Sequence, residues 1–377
     1  MEENLKQLVG RNLKTAREIA GISQELFAEK IGISRATMSA IENGHVAIDS
    51  TKLIQASRVL SRPINDFFRA EAEELALLYR AAEKVVPEEQ VRSKFQNFCE
   101  AYRELEEIVG VADAVLPPPE YPFTPHLHAK ARHFAGQVAA SERERLSLGK
   151  TDPIANIFML LEENGVRILA CEIEQSGLFG LSAFSKQYGP CILVNSNNTI
   201  ERQTFTVAHE YGHLLMHRDR YTNLNPSPER EPDLEAMAHV FAGLFLVPPD
   251  GLRDFLARNV GDRKIALEDI VAAKHHFRVS LKVISYRLWD EKRISESEKN
   301  DLWAKAEQLG HGELAPLDRN RLIRDWKEVR RFETLARKAV LGEMISIGKL
   351  SELLGQNLLE TRSRVQAWRK ELTFASA

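Results

Sequence analysis

The chain has 377 residues and a mass of 42.7 kDa, beyond the roughly 100–200 residues of one ordinary domain, so two or three domains are expected. With 44% hydrophobic and 28% charged residues it has a core to build, which excludes a disordered, collagen-like or purely coiled-coil chain. The 51 Lys and Arg nearly balance the 54 Asp and Glu, leaving a net charge of −3 and no global basic field, so any contact with nucleic acid must be local.

Three widely spaced cysteines, Cys99, Cys171 and Cys191, argue against a disulfide framework or a Cys-based zinc site and fit a reducing cytoplasm. The first residues carry no apolar signal core, and no stretch approaches the roughly 20 apolar residues of a membrane span, so a cytoplasmic protein without membrane contact is expected.

In chain order, residues 5–68 read as five short helices with turn signals at Gly21, Gly32, Gly44 and Pro63. Residues 69–124 read as a helical connector, ELALLYRAAEKVV and FQNFCEAYRELEEIV, ending in LPPPEYPFTP (116–125). Its prolines make that stretch a stiff extended spacer and place the main boundary there. Residues 125–290 begin with two helices. The short runs VRILACEI, FGLSAFS and GPCILVN then predict three strands, followed by the helical stretches RQTFTVAHEYGHLLMH and DLEAMAHVFAGLFLV, the second stopped by Pro248 and Pro249. Strands followed by helices suggest an α+β domain. Residues 291–377 read as an all-α module in which Gly342, Ile345–Leu350, Gly355 and the following helix look like a small winged-helix-type unit.

The stretch SQELFAEKIGISRATMSAIENG, 23–44, places Ser23 and Ser34 as helix N-caps around a tight turn at Gly32. Leu26, Phe27, Ile31, Ile33, Met38 and Ile41 have the spacing that packs two crossed helices, and Arg17 and Glu42 are placed for one internal ion pair. The outer face of the second helix shows Arg35, Ala36, Thr37, Ser39 and Ala40, small or hydrogen-bonding residues suited to the major groove of double-stranded DNA. The pattern resembles the phage-repressor (XRE, Cro/cI-type) helix-turn-helix family. That resemblance implies that Gln24 and Asn43 hold phosphate and Arg35 and Thr37 face bases, with Ser39 beside them. It also admits a homodimer on two half-sites about one DNA turn apart. A helical bundle used for dimerisation or partner binding is the alternative, and the nearly balanced local charge leaves it open.

The run His209-Glu-Tyr-Gly-His213 lies in a helical pattern, so both imidazoles leave one face and can hold one zinc ion, with Glu210 beside them to take a proton from the attacking water. The whole run resembles the ImmA/IrrE family of zinc metallopeptidases, whose H-E-x-x-H is followed by E-x-x-A-N-x-F-A-x-x-L-x-x-P. Here that second stretch reads Glu235, Ala236, Met237, Ala238, His239, Val240, Phe241, Ala242, then Leu244 and Pro248. The resemblance implies Glu235 as third ligand to one Zn2+ per chain, Glu210 as the catalytic residue and a zincin-like fold for residues 125–290. His239 stands where the family has Asn. Glu231 and Asp233 are the next candidates for the third ligand. His217, two turns beyond His209 and about 80° around the helix, converges poorly and reads as a supporting or surface residue.

The expected fold is thus multidomain: an all-α helix-turn-helix domain, an α+β zincin-like domain with a small sheet, and an all-α C-terminal region. The resemblances imply a DNA-binding regulator whose metallopeptidase domain acts as an endopeptidase on a partner repressor or antitoxin in a stress or mobile-element response. The alternative from another class is a non-cleaving DNA-binding repressor or antitoxin whose zinc domain senses a ligand or partner. An exposed edge of CILVN, 191–195, is expected to align an extended peptide with the metal.

Overall fold

A computed structural model gives the fold and describes residues 5–60, 64–68, 77–81, 87–112, 114–123, 130–175, 177–222, 232–309 and 331–375. Its contacts divide the chain into two units, Met1–Glu74 and Leu75–Ala377.

The first unit holds α1 (Leu5–Ile19), α2 (Gln24–Ile31), α3 (Arg35–Glu42), α4 (Ser50–Leu60) and a 3₁₀ turn, Ile64–Phe68, in place of the fifth expected helix. Ser23 Oγ accepts the Leu26 N–H and Ser34 Oγ the Thr37 N–H, at 3.2 and 3.0 Å, so both helices start where their caps stand. Gly32 closes α2 at φ +69°, a conformation that disfavours any side chain. Phe27, Ile31, Met38 and Ile41 meet Leu13 and Ala56 in the core, with Ile33 packed against it. Leu26, expected in that core, is 44% exposed. Phe27 and Ile31, four residues apart, already form the inward stripe of α2, and Leu26 falls outside it.

In the second unit four strands, β1 (Leu77–Ala81), β2 (Arg167–Cys171), β3 (Leu178–Ser185) and β4 (Gly189–Asn195), form a sheet of order β1-β3-β4-β2. β2 and β4 run parallel; β3 is antiparallel to both β4 and β1. The three expected strands are present, but β1 lies within a segment whose spacing predicts helix. LLYRA is short and apolar enough to suit either period, and the open backbone ladder of β3 decides for strand. The flanks of that expected helix, 71–76 and 82–86, lie outside the described residues.

Helices α5 (Glu89–Val109), α6 (Ala131–Arg145), α7 (Ile157–Glu163), α8 (Ile200–Met216) and α9 (Pro232–Leu246) pack around the sheet and one another. They are followed by α10 (Pro249–Asn259), α11 (Leu267–Phe277), α12 (Leu281–Asp290), α13 (Glu296–Gln308), α14 (Arg331–Leu341), α15 (Ile347–Leu354) and α16 (Leu358–Ala375). One large core joins α6, α8 and α9 to the sheet through residues such as Val138, Ile192, Val207, Phe241 and Phe245. The described part of the proline-rich stretch, 116–123, expected as a spacer, runs along the end of α8. The Tyr121 N–H donates to Leu215 O at 2.7 Å, its hydroxyl donates to Glu142 at 2.9 Å, and Arg218 donates to Pro118 O at 3.0 Å. Prolines hold the segment extended and leave its carbonyls free for such bonds.

The C-terminal helices α14–α16 share a core with α5 through Tyr102, Leu105, Ala336, Ala339, Leu350 and Val365. Buried Glu106 of α5 accepts from Arg167 of β2 and Arg331 of α14 and fastens this group to the sheet. The expected winged-helix unit therefore borrows its fourth helix from α5. Gly355 makes its helix-to-helix turn at φ +61°, and no strand occurs among the described residues of that region.

Candidate functional site

The HEYGH residues sit in the C-terminal half of α8, buried beneath β3 and β4. Two residues of the motif fix its place. The Tyr211 hydroxyl donates to the fully buried Glu142 of α6 at 2.5 Å and accepts from Arg145 at 3.0 Å. Gly212 faces α9 so closely that a Cβ would lie 2.9 Å from Phe241 Cδ1 and 3.4 Å from Ala238 Cα. A side chain there would push α9 away, and with it Glu235 three residues before Ala238.

That approach brings three donors together. His209 Nε2 and His213 Nε2 lie 3.2 Å apart, and the Glu235 oxygens stand 3.4 Å from each nitrogen. The three ligand atoms lie within 4.8 Å of one another. Burial pushes the Glu235 carboxyl up, but hydrogen bonds from His209 and His213 outweigh it and hold the group well below the usual carboxylate range. Two imidazoles and a carboxylate converging from one helical turn and a crossing helix are the donor set of a three-ligand zinc site, so the residues present fit the ion that the sequence implies. Of the rival ligands, Glu231 lies outside the described residues and the Asp233 side chain is not described.

His217, read as a supporting or surface residue, is buried, with its Nδ1 2.9 Å from His213 Nδ1. With an ion at its Nε2 in place of the bond to Glu235, His213 would donate to His217 through Nδ1, the tautomer a metal needs. Burial, then the neighbouring His213 and His209, push the His217 imidazole well below its ordinary 6.5, and its Nε2 has no partner among the described residues. His239, one turn after Glu235, puts its ring centroid 5.7 Å from that of His209 and 4.9 Å from Phe205.

Glu210 points toward the sheet, where Ser182 Oγ of β3 donates to its Oε2. The Tyr221 hydroxyl in turn donates to Ser182 Oγ at 2.8 Å, from a 3₁₀ turn, Arg218–Thr222, beyond α8. Burial and the nearby Glu210 charge push the Tyr221 phenol well up, so it remains a donor. Sequence reasoning missed both residues. Ser182 carried a signal, a hydroxyl in the middle of a mostly apolar strand whose other hydroxyl, Ser185, stands at its end; Tyr221, in a polar loop, carried none.

In the first unit Arg17 and Glu42 form the expected pair at 2.6 Å. Gln24, a residue expected to hold phosphate, donates its amide to the same carboxylate at 2.8 Å. Arg35 and Thr37 lie exposed on α3, with Thr37 Oγ1 2.8 Å from Ser34 Oγ. Ser39 is half-buried, and exposed Asn43 folds back onto its carbonyl at 2.8 Å. Arg35, Thr37, Ser39 and Asn43 belong to α3 or its C-cap.

Fold and site define a protein in which a helix-turn-helix domain precedes a metallopeptidase-type domain. Residues 161–289 match the family model described as the IrrE N-terminal-like domain of the M78 peptidases, and residues 13–67 match a helix-turn-helix family model. Two segments of the chain are thus each similar to one of those families. Similar solved structures include PlcR of Bacillus thuringiensis in complex with the peptide PapR7 and DNA, at 10% identity over 98% of this chain and 97% of that one, with a TM-score of 0.18. Another is the apo form of the competence regulator ComR from Streptococcus vestibularis, at 13% identity over 89% and 99%, with a TM-score of 0.17. No curated protein matches the chain. Among the described residues no helix is long and apolar enough to cross a membrane.

Proposed function

We propose that the chain is a cytoplasmic DNA-binding regulator whose M78-type domain is a zinc endopeptidase, with a partner repressor or antitoxin as substrate in a stress or mobile-element response. The observation that supports it is the convergence of His209, His213 and Glu235 beside a buried carboxylate already anchored to the sheet. His209, His213 and Glu235 hold one zinc ion per chain, which supplies a Lewis acid for the scissile carbonyl and acidifies water. Glu210 takes the proton of the attacking water and delivers it to the leaving amine, while Ser182 and Tyr221 keep its carboxylate turned toward the sheet. Tyr211 and Gly212 hold α8 against α6 and α9 so that the ligands stay converged.

The DNA-reading surface is α3. Arg35 and Thr37 reach bases, with Ser39 at the margin of that face. Gln24 and Asn43 meet phosphate, Gln24 through whatever capacity its bond to Glu42 leaves. A homodimer reads two half-sites.

Metal analysis of purified wild type, Glu235→Gln and Glu210→Gln tests the site. One zinc per chain is expected in wild type and in Glu210→Gln, with at least about tenfold weaker binding in Glu235→Gln. Equal zinc affinity in wild type and Glu235→Gln would refute the ligand set.

A further inference from the structure

An endopeptidase must lay an extended stretch of its substrate beside the catalytic carboxylate, and the sheet shows which edge can receive it. β4, the strand expected from sequence to offer that edge, has β3 on one side and β2 on the other, so its ladder is full. β3 is the strand that meets Glu210. Ser182 of β3 donates to Glu210, and a Cβ at Gly180, two residues earlier on the same face, would lie 3.6 Å from Glu210 Cγ. The side of β3 away from β4 is therefore the edge a peptide would have to use to lie beside Glu210.

That side is filled by the chain itself. β1 lies along β3 antiparallel, with Leu78 opposite Ser182, Tyr79 opposite Leu181 and Arg80 opposite Gly180, before the register breaks between Arg80 and Ala81. It also lies against α8 and the Arg218–Thr222 turn that carries Tyr221. β1 thus has the direction and placement of a substrate strand beside the catalytic residues. It is only five residues long, irregular at one end, and drawn from a segment whose own spacing favours helix, so its pairing is of the weak kind that can be exchanged.

We propose that β1 is an internal occupant of the substrate edge, and that a protein substrate is accepted when residues 77–81 leave β3. This rests on the zinc endopeptidase reading. A strand tethered in the same chain acts at an effective concentration on the order of millimolar, so free peptides at micromolar levels are excluded while the strand is in place. The domain then spares most extended polypeptides and cleaves only when β1 is displaced.

Zinc-loaded full-length chain carrying Glu210→Gln, which cannot turn over, is compared with the same chain carrying Tyr79→Pro and Arg80→Pro as well. Neighbouring prolines ensure that one removes a ladder donor whichever residue supplies it. Two probes are titrated by calorimetry: acetohydroxamate, which reaches the metal without needing an edge, and a Leu-Tyr-Leu hydroxamate, which needs both. The expected result is equal affinity for acetohydroxamate and about tenfold or greater tightening for the tripeptide hydroxamate in the proline variant. Equal tripeptide affinity in both proteins overturns the role of β1 and leaves the zinc site standing. Failure of acetohydroxamate to bind either protein overturns the zinc reading, and this inference with it. If acetohydroxamate binding is lost in the proline variant alone, that variant has misfolded and a second one decides. Leu77→Cys with Ala183→Cys, at directly opposite register positions, is cross-linked with oxidised glutathione. Cross-linking must block the tripeptide hydroxamate and dithiothreitol must restore it; unchanged binding overturns the proposal.

Discussion

Removing Glu42 should unfold the helix-turn-helix unit well before the rest of the chain. Glu42 is 4% exposed and Arg17 8%. The carboxylate accepts from Arg17 Nε at 2.6 Å, Arg17 Nη2 at 3.1 Å and Gln24 Nε2 at 2.8 Å, joining α1, α2 and α3. Glu42→Ala leaves a buried guanidinium with its bond to Ile22 O at 2.9 Å and a pair with the solvent-exposed Glu18 at 3.3 Å, weakened by water. Breaking a buried pair on one side costs about 3–5 kcal/mol. For a unit of this size each kcal/mol lowers Tm by about 4–8 °C, so a fall of at least about 12 °C is expected. Replacing both partners by apolar residues of similar volume, Arg17→Met with Glu42→Leu, should recover most of that loss. Calorimetry of the full chain reads this directly, since the two units should melt separately and only the first transition should move. A fall below about 4 °C, or a double variant no better than Glu42→Ala, would refute the reasoning.

Gly212→Val should weaken zinc binding without touching a ligand, because the new side chain meets Phe241 and Ala238 and forces α9 and Glu235 outward. Overpacking of this kind costs about 1–3 kcal/mol in stability, and unchanged zinc affinity would contradict the account. In the metal-free protein, His217 has a folded-state pKa below its unfolded 6.5, so the folded state binds fewer protons. Its contribution is complete above about pH 6.5 and falls as pH drops below that, by up to about 1.4 kcal/mol per pH unit. Melts at about pH 7.5 and 5.5 should therefore converge in His217→Gln relative to wild type, and identical pH slopes would exclude it. Arg35→Ala should weaken binding to an operator duplex by about 1–3 kcal/mol. Gln24→Ala should weaken it less, because the Gln24 amide is already engaged by Glu42; the reverse order in a fluorescence titration would remove α3 as the reading helix.

Local chemistry made much of this legible in the sequence. Ser23, Gly32 and Ser34 fix the helix-turn-helix because caps and a left-handed turn act within a few residues. His209 and His213 share one face of α8 for the same reason. Glu235 was reachable only through a resemblance, since nothing local says that α9 crosses α8. What stayed hidden depends on distant partners. β1 is a strand because β3 has an open ladder, Ser182 and Tyr221 matter because α8 passes beneath them, and α5 belongs with α14–α16 through a shared core. The proline-rich stretch likewise read as a spacer because its bonds to Leu215, Glu142 and Arg218 involve residues about 20 to 100 positions further along the chain.

The most direct test of the central claim is a comparison of protein N-termini across the source cell's proteome, with wild-type chain and Glu210→Gln expressed at equal levels. The account predicts at least one new N-terminus, in a repressor or antitoxin, that appears with wild type and never with Glu210→Gln. Identical sets of termini under DNA damage and oxidative stress would contradict it and leave a DNA-binding regulator that does not cleave.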